Sequence, residues 1–410
     1  MKRLALLGLV IPAFIYADNL KSLLDFATTH NTMVIAKSLT QESKVKDVES
    51  AQSSYYPTID TGAFYQNLEQ RSKGVAGDTY SGYIKVGVDL YDGGRKSNTI
   101  EKNKAQLESS KYDVTSYKKS LQLSIAEDFY TIKSVEASLR ALDEKEIQLK
   151  AELERIKKFY DVGSATIDEV DKLQAEYSNN LYQIDATKFQ ILSLKRLLSI
   201  KTGKKITTLE DSSIVVPENL QKELSDDIKA LNANASSLNY VAKTLDAAYL
   251  PQFRFEDTYS VYDYGRADAT HDVGVDNQNK LMLTFSMRLF DNGNVAKQKE
   301  SIMIQKKALD KQIEQAVELQ DVNTQLASAK INTIKAQIHS AESSLASANS
   351  AYKTIAKKYE VGAIDNIGYL DALSVKTNAK AQYEAALNNL QIAYATYYYY
   401  TNKNIQEYVK

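Results

Sequence analysis

Apolar and polar residues alternate along a few short stretches of the chain and step by threes and fours along much longer ones. Ile84, Val86, Val88 and Leu90 alternate with Tyr83, Lys85, Gly87 and Asp89. Leu281, Leu283, Phe285, Met287 and Leu289 alternate in the same way with Met282, Thr284, Ser286 and Arg288. A period of two makes a strand with one apolar and one polar face. Weaker partner strands precede each run, at 59–66 and around Phe253 and Phe255, which alternate with Arg254 and Glu256. The connections, 71–79 and 265–277, are polar and contain glycine, so two β-hairpins are expected at about 56–92 and 250–291.

The long stretches predict helices. Ile334, Ile338, Ala341, Leu345, Ala348, Tyr352, Ile355 and Tyr359 step by 4, 3, 4, 3, 4, 3, 4, the spacing of a coiled-coil seam. Leu121, Ile125, Phe129, Ile132, Leu139, Leu142, Leu149, Leu153 and Ile156 follow a similar spacing. No Gly or Pro interrupts Arg95 to Val162 or Asn294 to Val361. An unbroken helix of roughly 60 residues is on the order of 90 Å long. Such a length suits a tube or stalk better than a solid globule.

The two sets of elements repeat. Tyr160-Asp-Val-Gly163 recurs as Tyr359-Glu-Val-Gly362, and Leu90-Tyr-Asp-Gly-Gly94 as Leu289-Phe-Asp-Asn-Gly293, both at an offset of 199 (362 − 163 and 289 − 90). Upstream, Ser54-Tyr-Tyr-Pro57 recurs as Ala248-Tyr-Leu-Pro251 at 194 (251 − 57), the difference falling in a loop. Motifs in the same order twice make the chain an internal duplication. The first repeat covers 18–210, a linker 211–224 contains Val216-Pro-Glu218, and the second repeat covers 225–410. Each Tyr-acid-Val-Gly string ends a helical seam. Its glycine is suited to the left-handed terminating conformation, and Thr166 or Asp168, and Asp365 or Asn366, are candidate caps for the helix that restarts. The turns of two helical hairpins are therefore expected at about 160–166 and 359–366.

Composition narrows the class. The 410 residues carry a formal net charge of −1, with 25% charged residues, 28 Tyr against 10 Phe, 4 Pro and no Cys. Near-neutrality argues against a nucleic-acid partner. The lack of Cys excludes disulfides, thiolate metal sites, Cys nucleophiles and a lipidated N-terminal cysteine. Residues 1–17 read as a secretory signal peptide: Lys2 and Arg3, then an apolar run, with cleavage after Ala17 although Ile15 departs from the small-residue pattern. No later segment is apolar for 18 consecutive residues, the length a transmembrane helix needs.

Four amphipathic strands cannot close a barrel, since single-chain barrels start at eight. An exported four-stranded sheet is left with two open edges and an unburied apolar face. Pairing those edges with further copies removes both problems, and three copies give twelve strands, with lipid outside and water inside. Tyrosines near the strand ends, such as Tyr56, Tyr65, Tyr80, Tyr91, Tyr249 and Tyr264, would supply interfacial girdles.

The duplication, Tyr56-Pro57 and Leu250-Pro251 opening the hairpins, the two Asp-X-Gly closures, the Val-Gly tips and Leu370-Asp-Ala372 together resemble the TolC-like outer membrane efflux proteins over essentially the whole mature chain. The resemblance implies an α+β, mainly α fold. Long coiled-coil hairpins and two β-hairpins would trimerise into a 12-stranded outer membrane barrel on a periplasmic α-helical barrel. It implies a non-enzymatic duct without cofactor or metal, served by a periplasmic adaptor and an inner membrane pump. The tips Val162-Gly163-Ser164 and Val361-Gly362-Ala363 would meet the adaptor, and acidic side chains would narrow a constriction nearby. Family members with two acids three apart after the second tip would place the first at Gly368, so here only Asp371 remains. Asp371 is the expected ring residue, with Tyr369 beside it and Asp168, Glu169 and Asp171 in support. Capping and dipole stabilisation at a helix start account equally well for those last three.

Other chemistry is thin. His30, His271 and His339 have no ligand or catalytic spacing, and Lys201-Thr-Gly203 is an isolated string. Tyr397–Tyr400 suggests packing only. Protein secretion instead of small-molecule efflux, and a non-inserting periplasmic scaffold, stay open as alternatives.

Overall fold

A computed structural model describes residues 18–69, 74–218, 221–266 and 274–410. The expected signal peptide, part of each hairpin loop and His271 lie outside the described residues. The elements run α1 (Leu20–His30), α2 (Thr32–Ser53), β1 (Thr58–Asn67), β2 (Asp78–Tyr91), α3 (Arg95–Asp161), α4 (Ile167–Thr202), α5 (Asp226–Asp246), β3 (Gln252–Gly265), β4 (Asn277–Ser286), α6 (Asn294–Glu360) and α7 (Asn366–Tyr400). Short 3-10 turns occupy Ala247–Tyr249 and Ile405–Tyr408. The uninterrupted stretches fold as α3 and α6, 67 residues each. Their starts differ by 294 − 95 = 199 and their ends by 360 − 161 = 199, the offset of the sequence repeats.

The chain forms two compact units, and each draws on both repeats. One contains the described residues up to Ala36, Thr115–Ser225 and Glu318–Lys410; the other contains Lys37–Val114 and Asp226–Val317.

The second unit holds the sheet. It is antiparallel, in the order β1-β2-β3-β4, so one hairpin comes from each repeat and β2 joins β3 across the duplication. The register puts Ile59 beside Val86, Val88 beside Phe255, and Phe255 beside Leu283. These residues share one face, and it is open: Ile59 is 74% exposed, Leu281 67% and Leu283 64%. The opposite face carries charge. Arg254 donates to Asp89 at 2.7 Å and to Glu256 at 3.2 Å, and Lys96 reaches Asp89 at 3.1 Å. The alternation in the sequence overran β4. Met287 and Leu289 were expected in the strand, but it ends at Ser286. β3 starts at Gln252, directly opposite Ser286, after Pro251 and a 3-10 turn, so nothing remains to pair with. β2 begins earlier than its alternation implied because it has a neighbour on each side.

Asp92 and Asp291 close the hairpins into α3 and α6. Each carboxylate accepts from two backbone N–H groups of the following turn, Gly94 and Lys96, and Gly293 and Val295. The residues after them, Gly93 and Asn292, are left-handed. At Gly93 a Cβ would lie 2.8 Å from the Ala247 carbonyl oxygen, so glycine is required there.

The first unit has two cores. The larger joins Leu20, Leu23 and Leu24 of α1, Ile125, Phe129 and Tyr130 of α3, Leu198 of α4, and Tyr394 and Tyr398 of α7. The C-terminal tyrosine run belongs here. Tyr398 is 1% exposed, donates to the Val215 carbonyl at 3.1 Å and stacks on Tyr408 at 4.0 Å. The smaller core lies at the hairpin ends.

Candidate functional site: the helical hairpin tips

Both tips are built alike. After α3, Gly163 N–H donates to Tyr160 at 2.9 Å and Ser164 N–H to Phe159 at 2.7 Å. After α6, Gly362 donates to Tyr359 at 3.1 Å and Ala363 to Lys358 at 2.8 Å. This paired pattern satisfies the last carbonyls of each helix and requires a left-handed residue. Gly163 has φ 74° and Gly362 φ 72°. Val162 and Val361 are 73% and 77% exposed, with Gly163, Ser164, Gly362 and Ala363 exposed beside them. Each tip therefore offers one bare valine on a rigid turn.

The helices restart from caps. Thr166 caps α4, and the Glu169 carboxylate accepts from the Thr166 N–H at 3.0 Å. Asp365 caps α7, accepting from Gly368 N–H at 2.9 Å. Glu169 thus serves the helix start. Asp168 is exposed; the Thr166 hydroxyl and then Lys172 hold its carboxyl below the usual carboxylate range. Asp171 is exposed as well.

Behind the tips, Leu149, Leu153, Ile156, Val170, Leu173, Tyr359, Tyr369 and Leu373 form the smaller core. Tyr369 lies inside it, 6% exposed and stacked on Tyr359 at 4.8 Å. Burial drives its hydroxyl pKa far above the ordinary tyrosine value. Asp371, two positions on, points the other way. It is exposed and makes no ion pair among the described residues. The structure therefore separates the two residues expected together: Tyr369 packs α7 down, and Asp371 faces outward.

Three polar residues hold this region; the sequence reading missed Lys145 and Arg155 and offered Asn366 only as a candidate cap. Lys145 of α3 is 6% exposed, and its ammonium donates to Glu176 of α4 at 2.6 Å and to Ser374 of α7 at 3.0 Å. Its signal was visible, a lysine between Leu142 and Leu149 on the apolar seam. Asn366, 2% exposed, donates to the Glu169 carbonyl at 3.1 Å and so ties the two hairpins together at their ends. Arg155 binds Glu152 through two donors and covers the Tyr359 ring at 4.7 Å.

No helix among the described residues is long and apolar enough to cross a membrane, whereas the sheet exposes a mainly apolar face that also carries Asp257 and Asn279. This combination defines a class: outer membrane proteins that join β-hairpins to long periplasmic helical hairpins. The chain belongs to the outer membrane efflux protein family, whose sequence model matches residues 23–199 and again 219–402. The outer membrane protein TolC of Vibrio cholerae serotype O1 is 20% identical, over 93% of this chain and 91% of its own. TolC of Escherichia coli K12 is 21% identical, over 96% and 86%. In structure, the Campylobacter jejuni CmeC outer membrane channel matches with a TM-score of 0.81 at 15% identity, covering 93% of this chain and 85% of that one. CusC matches with a TM-score of 0.80 at 14% identity, covering 94% and 92%. These structural likenesses establish the fold, and the family places the protein in the outer membrane with a large periplasmic helical part.

Proposed function

We propose that three copies of this chain assemble into a duct that carries small molecules out through the outer membrane. The observation that carries the reading is the sheet. It has an open apolar face, a charged opposite face and two unpaired edges, β1 and β4. Pairing β4 of one copy with β1 of the next closes twelve strands with lipid outside and water inside. The helices then form the periplasmic entrance. The tips at Val162-Gly163-Ser164 and Val361-Gly362-Ala363 dock a periplasmic adaptor, which couples the duct to an inner membrane pump. Asp371 supplies the constriction. It is exposed nine positions past Gly362 (371 − 362), and a threefold axis turns it into a ring of three carboxylates that favours cations. Tyr369 sets the position of that ring by anchoring α7, and Asp168, Glu169 and Asp171 add negative charge at the same end.

The test is conductance of detergent-extracted protein in a planar bilayer, with its oligomeric mass. Trimers forming cation-preferring channels are expected, and Asp371→Ala is expected to raise conductance and weaken block by divalent cations from the periplasmic side. Unchanged block removes Asp371 from the constriction. A water-soluble monomer without channels makes the protein a periplasmic scaffold.

A further inference from the structure

Near the loop end of the sheet, its open face carries a notch of about 460 Å³. Two adjacent rows of the strand register surround it. Ala63, Gly82 and Val261 form one row, and Tyr65, Tyr80 and Asp263 form the other. All six alternate in step with Ile59, Val86 and Phe255, so they stand on the membrane-facing side.

Gly82 makes the gap. A strand interior ordinarily gains from a side chain at such a position. A Cβ there would meet only the Val261 Cγ2, at 3.6 Å, and Gly82 is not among the glycines with positive φ. Neither crowding nor backbone geometry therefore requires glycine.

The wall beside the gap is rigid. The Tyr65 hydroxyl donates to Asp78 at 2.8 Å, and Asn67 donates to the same carboxylate at 2.6 Å. Arg266 clamps Asp78 from the other side with bonds of 2.7 and 3.0 Å. Tyr80 stacks on the anchored Tyr65 ring with centroids 4.9 Å apart. Tyr80 lies between Tyr65 and Asp263 in the register, so its second ring face turns towards Asp263, and the residue is 49% exposed. Asp263 is exposed, accepts from the Tyr264 N–H at 3.0 Å through Oδ1, and makes no ion pair among the described residues.

Height along the sheet matches a headgroup. Leu90 and Leu289, both exposed at the strand–helix junctions, mark the lower edge of the apolar band. Gly82 stands eight residues above Leu90 (90 − 82). At about 3.3 Å per residue and a strand tilt of about 40°, this is about 20 Å up a band about 25 Å tall. Tyr65 and Tyr80 then stand at the outer aromatic girdle, where acyl chains give way to sugar. A girdle needs rings alone, without a gap beside them or a carboxylate facing outward. A sugar ring uses all three: its C–H face lies on an aromatic surface, and its hydroxyls donate to a carboxylate in charge-assisted bonds. Asp263 disfavours a bare phosphate, because like charges repel, and the nearby Arg266 is committed to Asp78. Below the notch, exposed Ile84 and Ile59 continue an apolar track for an acyl chain of the same molecule.

We propose that the notch binds a sugar of an outer-leaflet glycolipid, with the ring stacked on Tyr80, its hydroxyls on Asp263 and an acyl chain along Ile84. The inference rests on the outer membrane location and is independent of copy number and transport.

The chain contains no tryptophan, so Tyr80→Trp keeps an aromatic platform and supplies a single fluorescent reporter. Full-length Tyr80→Trp protein in detergent is titrated with short-core lipopolysaccharide, and separately with phosphatidylglycerol, which has acyl chains and a phosphate but no sugar. A saturable emission change with lipopolysaccharide alone is expected. Adding Gly82→Leu, which fills the notch, should weaken that binding about tenfold. Asp263→Ala, which removes only an exposed side chain, should weaken it as well and serves should Gly82→Leu fail to fold, as judged by circular dichroism. Equal responses to the two lipids reduce the tyrosines to an ordinary girdle and overturn the proposal. So does lipopolysaccharide binding that folded Gly82→Leu and Asp263→Ala leave unchanged, and so does the lack of any saturable response.

Discussion

Lys145 makes the sharpest test of how the helical hairpins hold together. Its ammonium is nearly sealed among α3, α4 and α7, bound to the Glu176 carboxylate and the Ser374 hydroxyl. Lys145→Met keeps the length of the side chain and most of its packing but strands Glu176. Leaving a fully buried charge without its partner costs about 3–5 kcal/mol. The Glu176 side chain is 28% exposed, so water recovers part of that, and about 2 kcal/mol is a fair expectation. This corresponds to about a 30-fold change in a local opening equilibrium. Amide hydrogen exchange of the detergent-extracted protein reads that equilibrium directly. Protection in 142–150 and 173–180 should fall about 30-fold, while the core around Phe129 and Tyr398 should hold. Adding Glu176→Gln should restore most of the protection, because the stranded charge is then gone. If the double variant opens as readily as Lys145→Met alone, the penalty is lost packing and the electrostatic reasoning is wrong.

Three further outcomes follow from the tips and the larger core. Gly163→Ala and Gly362→Ala should each weaken the local helix end by about 1–2 kcal/mol, the cost of a left-handed β-carbon, since a Cβ at either position meets nothing within 4 Å; a larger loss in exchange at the tips would point to a clash. Gly163→Pro removes the N–H that donates to Tyr160 and fixes φ near −65° against the 74° in place. Trimers should persist while export fails, and normal export would mean that the tip is only a turn. Burial pushes the Tyr398 hydroxyl up to about 12 from 10.0. The unfolded chain therefore loses this proton first as pH rises past 10, and its contribution to stability is intact below 10 and lost on the way to 12. The slope is at most about 1.4 kcal/mol per pH unit. Thermal melts followed by circular dichroism should drop over this window and drop less steeply in Tyr398→Phe; parallel curves would place the alkaline transition elsewhere.

The helices and turns could be read in the sequence because their causes are local. Uninterrupted seams, glycines past helix ends and capping acids act within a few residues, and α3 and α6 begin and end where those signals lie. The strand ends were less legible. β4 stops at Ser286 because of where β3 begins on the other side of the hairpin, and no residue near Met287 records that. Tyr369 and Asp371 were expected to act together from their proximity in sequence, yet a helix turns successive positions by about 100°. Two positions apart is therefore almost opposite, which puts one residue in the core and the other outside. Lys145, and the tie that Asn366 makes to the other hairpin, escaped because their partners are supplied by distant helices, although a lysine on an apolar seam was a visible irregularity.

The equal lengths of α3 and α6 also constrain how this chain can change over generations. Level tips require that a turn lost from one descending helix be lost from the other, and from both returning helices, α4 and α7. Four separate deletions, each a whole number of heptads, would have to accumulate before the two hairpins again ended together. Every intermediate would carry one hairpin out of step. The β-hairpins are under no such coupling, and the repeats already differ there by five residues (199 − 194), four of them in β3, which is longer than β1, and one in the loop. Among descendants of such a gene, the helical part should keep its residue count while its sequence drifts, and length variation should collect in the β-hairpins.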